Sequence, residues 1–291
     1  VPSLTRPANS LDLTFDSLSD LLMAATAPSP CPQDARSSHN HDQEQSWDLG
    51  VGFAGAARLA ESGWPEGAQK AREYSDALFA KVSAKMTKNV FLFADEGMTW
   101  DLSRVVANEA ECWVARHEVE GEAEGPRYIR LVVNVAASSG IDAAVLLARG
   151  AVTAALVELL EYAGHRCEIV VAHAINSKRR FTTQTTVKRF SEPLDMASVA
   201  YAVAHPSLFR RLIFSIYESL PTEQERREVG VHGGSYGFPV DMADDERGDI
   251  YLPCSFLDGS VPWQHAPSAV AWITYQLKRQ GVTLNLSADD C

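Results

Sequence analysis

Ser138 and Ser139 stand where a strand gives way to a helix. The run "RYIRLVVNVA" (127–136) ahead of them is apolar and β-branched, and the segment Asp142 to Ala163 after them is apolar nearly all round. A serine in such a turn can act as a nucleophile when a base and an orienting acid stand beside it. The free N–H groups of the helix start can also hold an anion. No Gly-x-Ser-x-Gly surrounds either serine, so capping of the helix by Ser139 and Asp142 is the simpler reading. A second candidate is positive charge. Lys178, Arg179 and Arg180, with Lys188 and Arg189 across a hairpin, form a patch that could contact phosphate. Charge on an edge strand equally serves to block edge-to-edge pairing. His39, His41 and Asp42 are metal-ligand types, but they lie in a polar stretch that reads as a solvated loop. His173 in a buried strand reads as a hydrogen-bonded core residue. "VHGGSYGFP" (231–239) is Gly-rich without the Gly-Lys-Ser/Thr of a phosphate loop, and reads as a mobile loop.

Several elements must position these groups. Residues 11–25 place Phe15, Leu18, Leu21 and Leu22 on one face of a short helix. Residues 26–46 are rich in Pro, Ser and polar residues, an exposed linker. Residues 47–86 give two helices split at Gly63 and "GWPEG", with Trp47 and Trp64 as packing aromatics. From Arg127 the order is strand, helix, strand ("RCEIVVAHAI", 166–175), Thr-rich strand ("FTTQTTVKRF", 181–190), and a helix broken near His205–Pro206. A strand ("DIYLPCSFL", 249–257), a helix (268–281) and a last short strand (282–286) follow. Alternation of this kind predicts an α/β fold: a doubly wound, mostly parallel sheet with helices on both faces. The Thr-rich partner is its one antiparallel edge strand. The division is an N-terminal helical appendage (1–126, with the 26–46 linker) and an α/β domain (127–291).

Composition narrows function. The chain has 291 residues, 46% hydrophobic and 22% charged, enough for a substantial core. A net charge of −12 speaks against a protein that coats nucleic acid. The five cysteines (31, 112, 167, 254, 291) are scattered without a Cys-x-x-Cys pair, which suggests neither a zinc ribbon nor a disulfide framework and fits a reducing compartment. No signal peptide and no membrane-spanning run is expected.

The order of elements from 127 to 287 resembles the von Willebrand factor A domain. Three local likenesses accompany it: the hydroxyl-rich loop at Ser138 and Ser139, the helix start "SEPLDMASVAYAV", and "SFLDGS", which resembles that family's Thr-Asp-Gly. The resemblance implies a Mg²⁺ site built from an Asp-x-Ser-x-Ser loop. Here those places hold Asn134, Ala136 and Ser138, and Glu192 stands where a Thr would be. The implied ligands are Ser138, Ser139, Glu192 and Asp258, and an amide and a methyl in place of a carboxylate and a hydroxyl predict a degenerate loop with no cofactor, or at most weak Mg²⁺. The N-terminal half resembles an uncharacterised family of tailed bacteriophages and prophages, through "FDSLSDLLMAA", the 47–60 helix and "GWPEG". Together these point to a non-catalytic interaction protein, phage- or prophage-encoded, located in host cytoplasm or virion. It would bind a protein partner at the carboxyl edge of its sheet, with a ring ATPase or a virion component as the class suggested by analogy. The alternatives are a phage structural or assembly component and a metal-dependent nucleic-acid-processing enzyme.

Overall fold

Seven residues from Tyr128 to Asn134 alternate between two environments, as a strand inside a sheet must. Ile129, Leu131 and Val133 face a large apolar core, while Val132 belongs to a small cluster on the other side. The computed structural model describes residues 3–5, 10–32, 36–40, 45–82, 91–94, 96, 99–100, 102–106, 112–116, 127–231, 236–255 and 266–280. In chain order its strands are β1 (Ser3–Thr5), β2 (Ser10–Phe15), β3 (Phe91–Ala94), β4 (Thr99–Trp100), β5 (Trp113–Arg116), β6 (Tyr128–Asn134), β7 (Arg166–Asn176), β8 (Arg180–Lys188), β9 (Phe238–Pro239) and β10 (Ile250–Leu252). The α-helices are α1 (Leu18–Thr26), α2 (Ser37–Asn40), α3 (Gln45–Asp48), α4 (Gly52–Ser62), α5 (Pro65–Val82), α6 (Leu102–Val106), α7 (Ala143–Tyr162), α8 (Met196–Ala204), α9 (Phe214–Glu218), α10 (Glu223–Glu228) and α11 (Ala266–Arg279). A π-helix, Leu208–Ile213, leads directly into α9.

The main sheet has the order β1-β2-β8-β7-β6-β10, and β9 pairs the end of β7. β2 runs parallel to β8, β7 parallel to β6, and β6 parallel to β10, while β7 and β8 form an antiparallel hairpin. The fold is thus mixed α/β with a mostly parallel central sheet. A separate three-stranded sheet has the order β3-β5-β4.

Two expectations are corrected. The Thr-rich strand β8 is interior, not an edge. Its Thr182, Thr183 and Thr185 are buried, and β2 pairs with it from Ser10↔Arg180 to Phe15↔Thr185. Residues 10–15, read from sequence as the start of a helical appendage, are therefore sheet, and α1 begins only after Ser17 caps Asp20 N–H. Second, the sheet is not wound on both faces among the described residues. Leu11, Leu13 and Phe15 of β2, Phe181 of β8, and Ile169, Val171 and Ile175 of β7 join one core with residues of α1, α4, α5, α7, α8, α9, α11 and the π-helix. The other face carries Val132, Val170, Ala172 and Ala174 under Val240, Met242 and Tyr251, with the partly exposed Arg130, Glu168 and Gln184 around them. A return segment with one short 3-10 turn (Asp244–Glu246), not an α-helix, covers that face. Among the described residues one helix, α7, is long and apolar enough to pass for a membrane span by length and composition. Leu146, Val152, Leu156, Leu159 and Leu160 are buried in the core, so its apolarity reflects packing inside the protein.

Within the 26–46 stretch the described parts are tied down. Ser38 is wholly buried and bonds Glu218, and Arg36 donates to Cys31 O at 2.7 Å. Of the His39–His41–Asp42 cluster, residues 41 and 42 lie outside the described residues. The last predicted strand (282–286) lies outside them too.

Candidate functional site

β6 and β7 part company at Asn134. Val135 N–H still reaches Ala172 O at 2.8 Å, but one step further Val240 N–H takes Ala174 O at 3.0 Å, because β9 has replaced β6 beside β7. The Asn134 side chain joins the two. Its Nδ2 donates to Val240 O (2.8 Å) and Tyr251 OH (3.2 Å), and its Oδ1 accepts from Ala136 N–H (3.2 Å) and Ala174 N–H (3.4 Å). An amide is the one side chain that offers two donors and two acceptors in this arrangement. Arg149 of α7 fixes the same corner, donating to Asn134 O and Ser255 Oγ, both at 3.1 Å. Burial lowers its pKa to about 10, so it is still a cation at neutral pH.

A cavity of about 520 Å³ opens at this carboxyl edge, on the helix-bearing face. The sheet contributes His173 and Ile175, the loop after β6 contributes Ala137, Ser138 and Ser139, and the π-helix contributes Phe209 and Arg210. Trp47, Phe214, Tyr236 and the 237–239 segment complete the wall. The aromatic groups support one another: Phe214 stacks on Tyr236 at 4.2 Å, and His173 on Phe209 at 5.6 Å. Phe238, 74% exposed, marks the mouth.

Arg210 is 1% exposed. Its guanidinium lies 4.3 Å from the Trp47 ring and 5.2 Å from the Phe209 ring, and it donates to Trp47 O (2.5 Å) and Ile141 O (2.9 Å). Burial lowers its pKa to about 10, with Asp142 and Asp48 opposing that, so it remains charged at neutral pH. His173 bonds Tyr217 OH, and burial drops its pKa to about 3, so the imidazole is neutral. Beside the cavity is a buried polar network. Arg211 pairs with Asp48 at 2.7 Å, both side chains fully buried, and donates to Ser38 O. Glu218 accepts from Ser38 N–H and Tyr236 OH. The network fixes α2, α3 and Tyr236 against the π-helix and α9.

The structure sorts the sequence candidates by location. Ser138 and Ser139 line the cavity, and neither hydroxyl bonds another described residue; Asp142 alone caps α7, accepting from Ala144 N–H at 2.7 Å. Asn134 points to the opposite face, where its amide is saturated. Glu192 lies at the far edge of the sheet, bonded to Arg189 N–H at 2.8 Å. Asp258 lies outside the described residues. The ligand set implied by resemblance is therefore not gathered. Among the described residues no three His, Cys, Asp or Glu side chains come together as a metal group. With a saturated amide at Asn134, a methyl at Ala136 and a guanidinium in the cavity wall, the described residues do not fit Mg²⁺.

The proposed phosphate patch also separates. Lys178, Arg179 and Arg180 sit at the β7–β8 turn, while Lys188 and Arg189 are at the other end of β8. Arg179 pairs with Glu228, Arg180 with Glu246, Lys188 with Glu161 at 2.7 Å, and Arg189 with Asp16 and Glu192. Those four side chains are engaged by local carboxylates. Sequence reading missed Arg210 and its partners. The available signal was "FRRLIF": two arginines in an apolar helix must each be paired or functional, since charged residues are rarely buried otherwise.

A family profile described as a domain of unknown function (DUF7192) matches residues 4–284. The chain belongs to this family. The match takes in β1 and β2 together with the α/β core, so the sheet as observed lies within one family unit. Comparison with curated proteins and with solved structures gives no match.

Proposed function

We propose that this member of the DUF7192 family is a non-catalytic binding protein whose recognition site is the cavity at the carboxyl edge of its sheet, and that its ligand is a segment of a partner protein. The observation that carries the reading is the cavity itself: aromatic walls with a buried arginine among the lining residues, and Phe238 exposed beside them. Aromatic and arginine side chains in a pre-formed pocket are what protein recognition sites use. The hydroxyls of Ser138 and Ser139 lack a strong base among the described residues, since His173 is bonded to Tyr217 and burial lowers its pKa to about 3. This favours binding over acyl chemistry.

The β6-α7-β7-β8 unit, with its antiparallel hairpin strand, supports a von Willebrand A-like core, carrying an additional strand pair at its N-terminal side. The N-terminal likeness to phage-encoded proteins adds a second proposal, that the partner is a virion or assembly component. The test is a photocrosslinking residue placed at Phe238, compared with one at Tyr128 on the opposite edge. A discrete adduct is expected from position 238 only, and Ser139→Trp, which fills the cavity rim, should abolish it. Equal adducts from both positions, or an adduct indifferent to Ser139→Trp, would sink the reading.

A further inference from the structure

We infer that the cavity receives an uncharged aromatic side chain from within the partner segment, its ring among Trp47, His173, Phe209, Phe214 and Tyr236 and its backbone at the Ser138–Ser139 rim. This rests on the reading of the cavity as the recognition site and names the group that enters it.

The first ground is the make-up of the wall. Rings dominate it, and Ile175 and Pro239 add aliphatic surface. Aromatic rings pair edge-to-face or offset, and each pair adds to what burial alone supplies. The wall already packs this way with itself. Phe214 stacks on Tyr236, and both Phe209 and His173 meet Phe214 edge-on at 6.1 Å. A ring in the cavity extends that arrangement, whereas an aliphatic side chain gains only the burial. The second ground is charge. Arg210 is 1% exposed, lies against the Trp47 and Phe209 rings, and donates to Trp47 O and Ile141 O, so its charge is held within the protein. Buried His173 is neutral. A charged group entering here would lose its water without gaining a partner.

The third ground is that the walls are fixed in advance. Tyr236 has φ 45°, and Leu49, two residues after Trp47, has φ 61°. Both are left-handed conformations, which persist only where the surroundings enforce them. Buried carboxylates do so here. Glu218 accepts from Tyr236 OH at 2.6 Å, and Asp48 accepts from Gly50 and Gly52 N–H. The volume, about 520 Å³, lies in the lower half of the usual range for ligand pockets and suits one ring system with its flanking backbone. The rim favours a residue inside a chain over a free aromatic compound. The Ser138 and Ser139 hydroxyls can donate to and accept from peptide groups, and Phe238, 74% exposed, offers surface to the neighbours of the anchored residue. Buried aromatic anchors of this kind carry much of the energy in protein recognition.

The experiment is ligand-detected NMR titration of the full chain with four probes: N-acetyltryptophanamide, N-acetylleucinamide, N-acetyltryptophan with its free carboxylate, and 3-methylindole, the side chain without a backbone. The tryptophan amide is expected to bind at about millimolar affinity or tighter. The leucine amide should be weaker by about twofold to tenfold, the increment of ring–ring contact. The free acid should bind no more tightly than the amide, and 3-methylindole more weakly. Ser139→Trp, on the exposed rim, should abolish binding of all four without disturbing the core. Excess tryptophan amide should suppress the adduct formed from position 238. No binding of the tryptophan amide at millimolar concentration, a leucine amide that binds as well, a tighter free acid, binding that survives Ser139→Trp, or an adduct that the amide leaves intact each overturns the inference. Equal or tighter binding of 3-methylindole overturns the polypeptide source. If the position-238 adduct forms while the tryptophan and leucine amides bind alike, the partner-binding reading stands and only this inference falls.

Discussion

Asn134 illustrates how a residue that looks like a damaged ligand can be a fitted one. Both amide hydrogens and both oxygen lone pairs have partners within the protein. Asn134→Asp would set a carboxylate oxygen against Val240 O and the Tyr251 hydroxyl. A loss of about 3 kcal/mol is expected in urea unfolding, since buried donors are removed and a buried charge is left uncompensated. Combining it with Ala136→Ser, which rebuilds the motif on paper, should give no Mg²⁺ binding at millimolar metal by calorimetry. The buried histidines make a second prediction. His173 and His205 have pKa values lowered to about 3 and about 4, mainly by burial, against about 6.5 unfolded. The unfolded chain therefore takes up protons first as pH falls. Stability should be full above about pH 6.5 and decline below it, by about 1.4 kcal/mol per pH unit for each histidine until its folded pKa is reached. Thermal unfolding between pH 7 and 5 measures this, and a His173→Gln, His205→Gln double variant should show a much flatter profile. A profile as steep as wild type would refute the assignment to these two groups.

At the level of elements, the helical layer depends on close approach as much as on apolar area. A Cβ on Gly150 of α7 would lie 2.1 Å from Ala204 Cβ and 2.2 Å from its Cα in α8. The obstacle includes backbone, so the helices must separate. Gly150→Ala should cost about 2–3 kcal/mol in denaturant unfolding, the range for overpacking a core. A change under about 0.5 kcal/mol would mean that α7 and α8 can slide apart freely. Gly63 makes a similar junction, with φ 75° and its neighbour Trp64 N–H bonded to Ala197 O at 2.9 Å. The π-helix that carries Arg210 and Arg211 is held by the Asp48 carboxylate, which also accepts from Gly50 and Gly52 N–H, both at 2.9 Å. Asp48→Ala leaves a buried guanidinium without its partner and should cost about 3–5 kcal/mol.

At the scale of the whole molecule, described residues on both sides of residue 126 share one core. β2 supplies Leu11, Leu13 and Phe15 to the main core, and α1, α4 and α5 supply Leu21, Ala56 and Ala71. The family match, residues 4–284, spans the same territory. A chain limited to residues 127–291 would expose one side of β8 and the faces of α7 and α8 that the N-terminal helices cover. It should fail to unfold cooperatively and should aggregate, because an unpaired strand with apolar neighbours invites pairing. Cooperative urea unfolding of that fragment, with near-native secondary structure by circular dichroism, would show that the N-terminal part is an appendage after all.

The amino-acid sequence by itself determined the local order. β-branched runs made β6 and β7, Asp142 and Gly164 bounded α7, the 205–206 step ended α8, and the fold class followed from the alternation. It also placed Ser138 and Ser139 at a strand-to-helix turn. Only the tertiary structure decided which strand lies beside which. A Thr-rich alternating strand suits an edge and an interior position equally, and β2 is too short and too far away in sequence to declare its partner. The same limit hid the site. Trp47, Ser139, His173, Arg210 and Tyr236 come from five separate parts of the chain. No spacing rule links them, since the cavity arises from where β6 ends, β9 begins and the π-helix turns. Asn134 and Glu192 looked like one ligand set because both flank elements of a familiar order. They lie at opposite edges because β8 runs antiparallel and carries the chain back to the other end of the sheet before α8 begins.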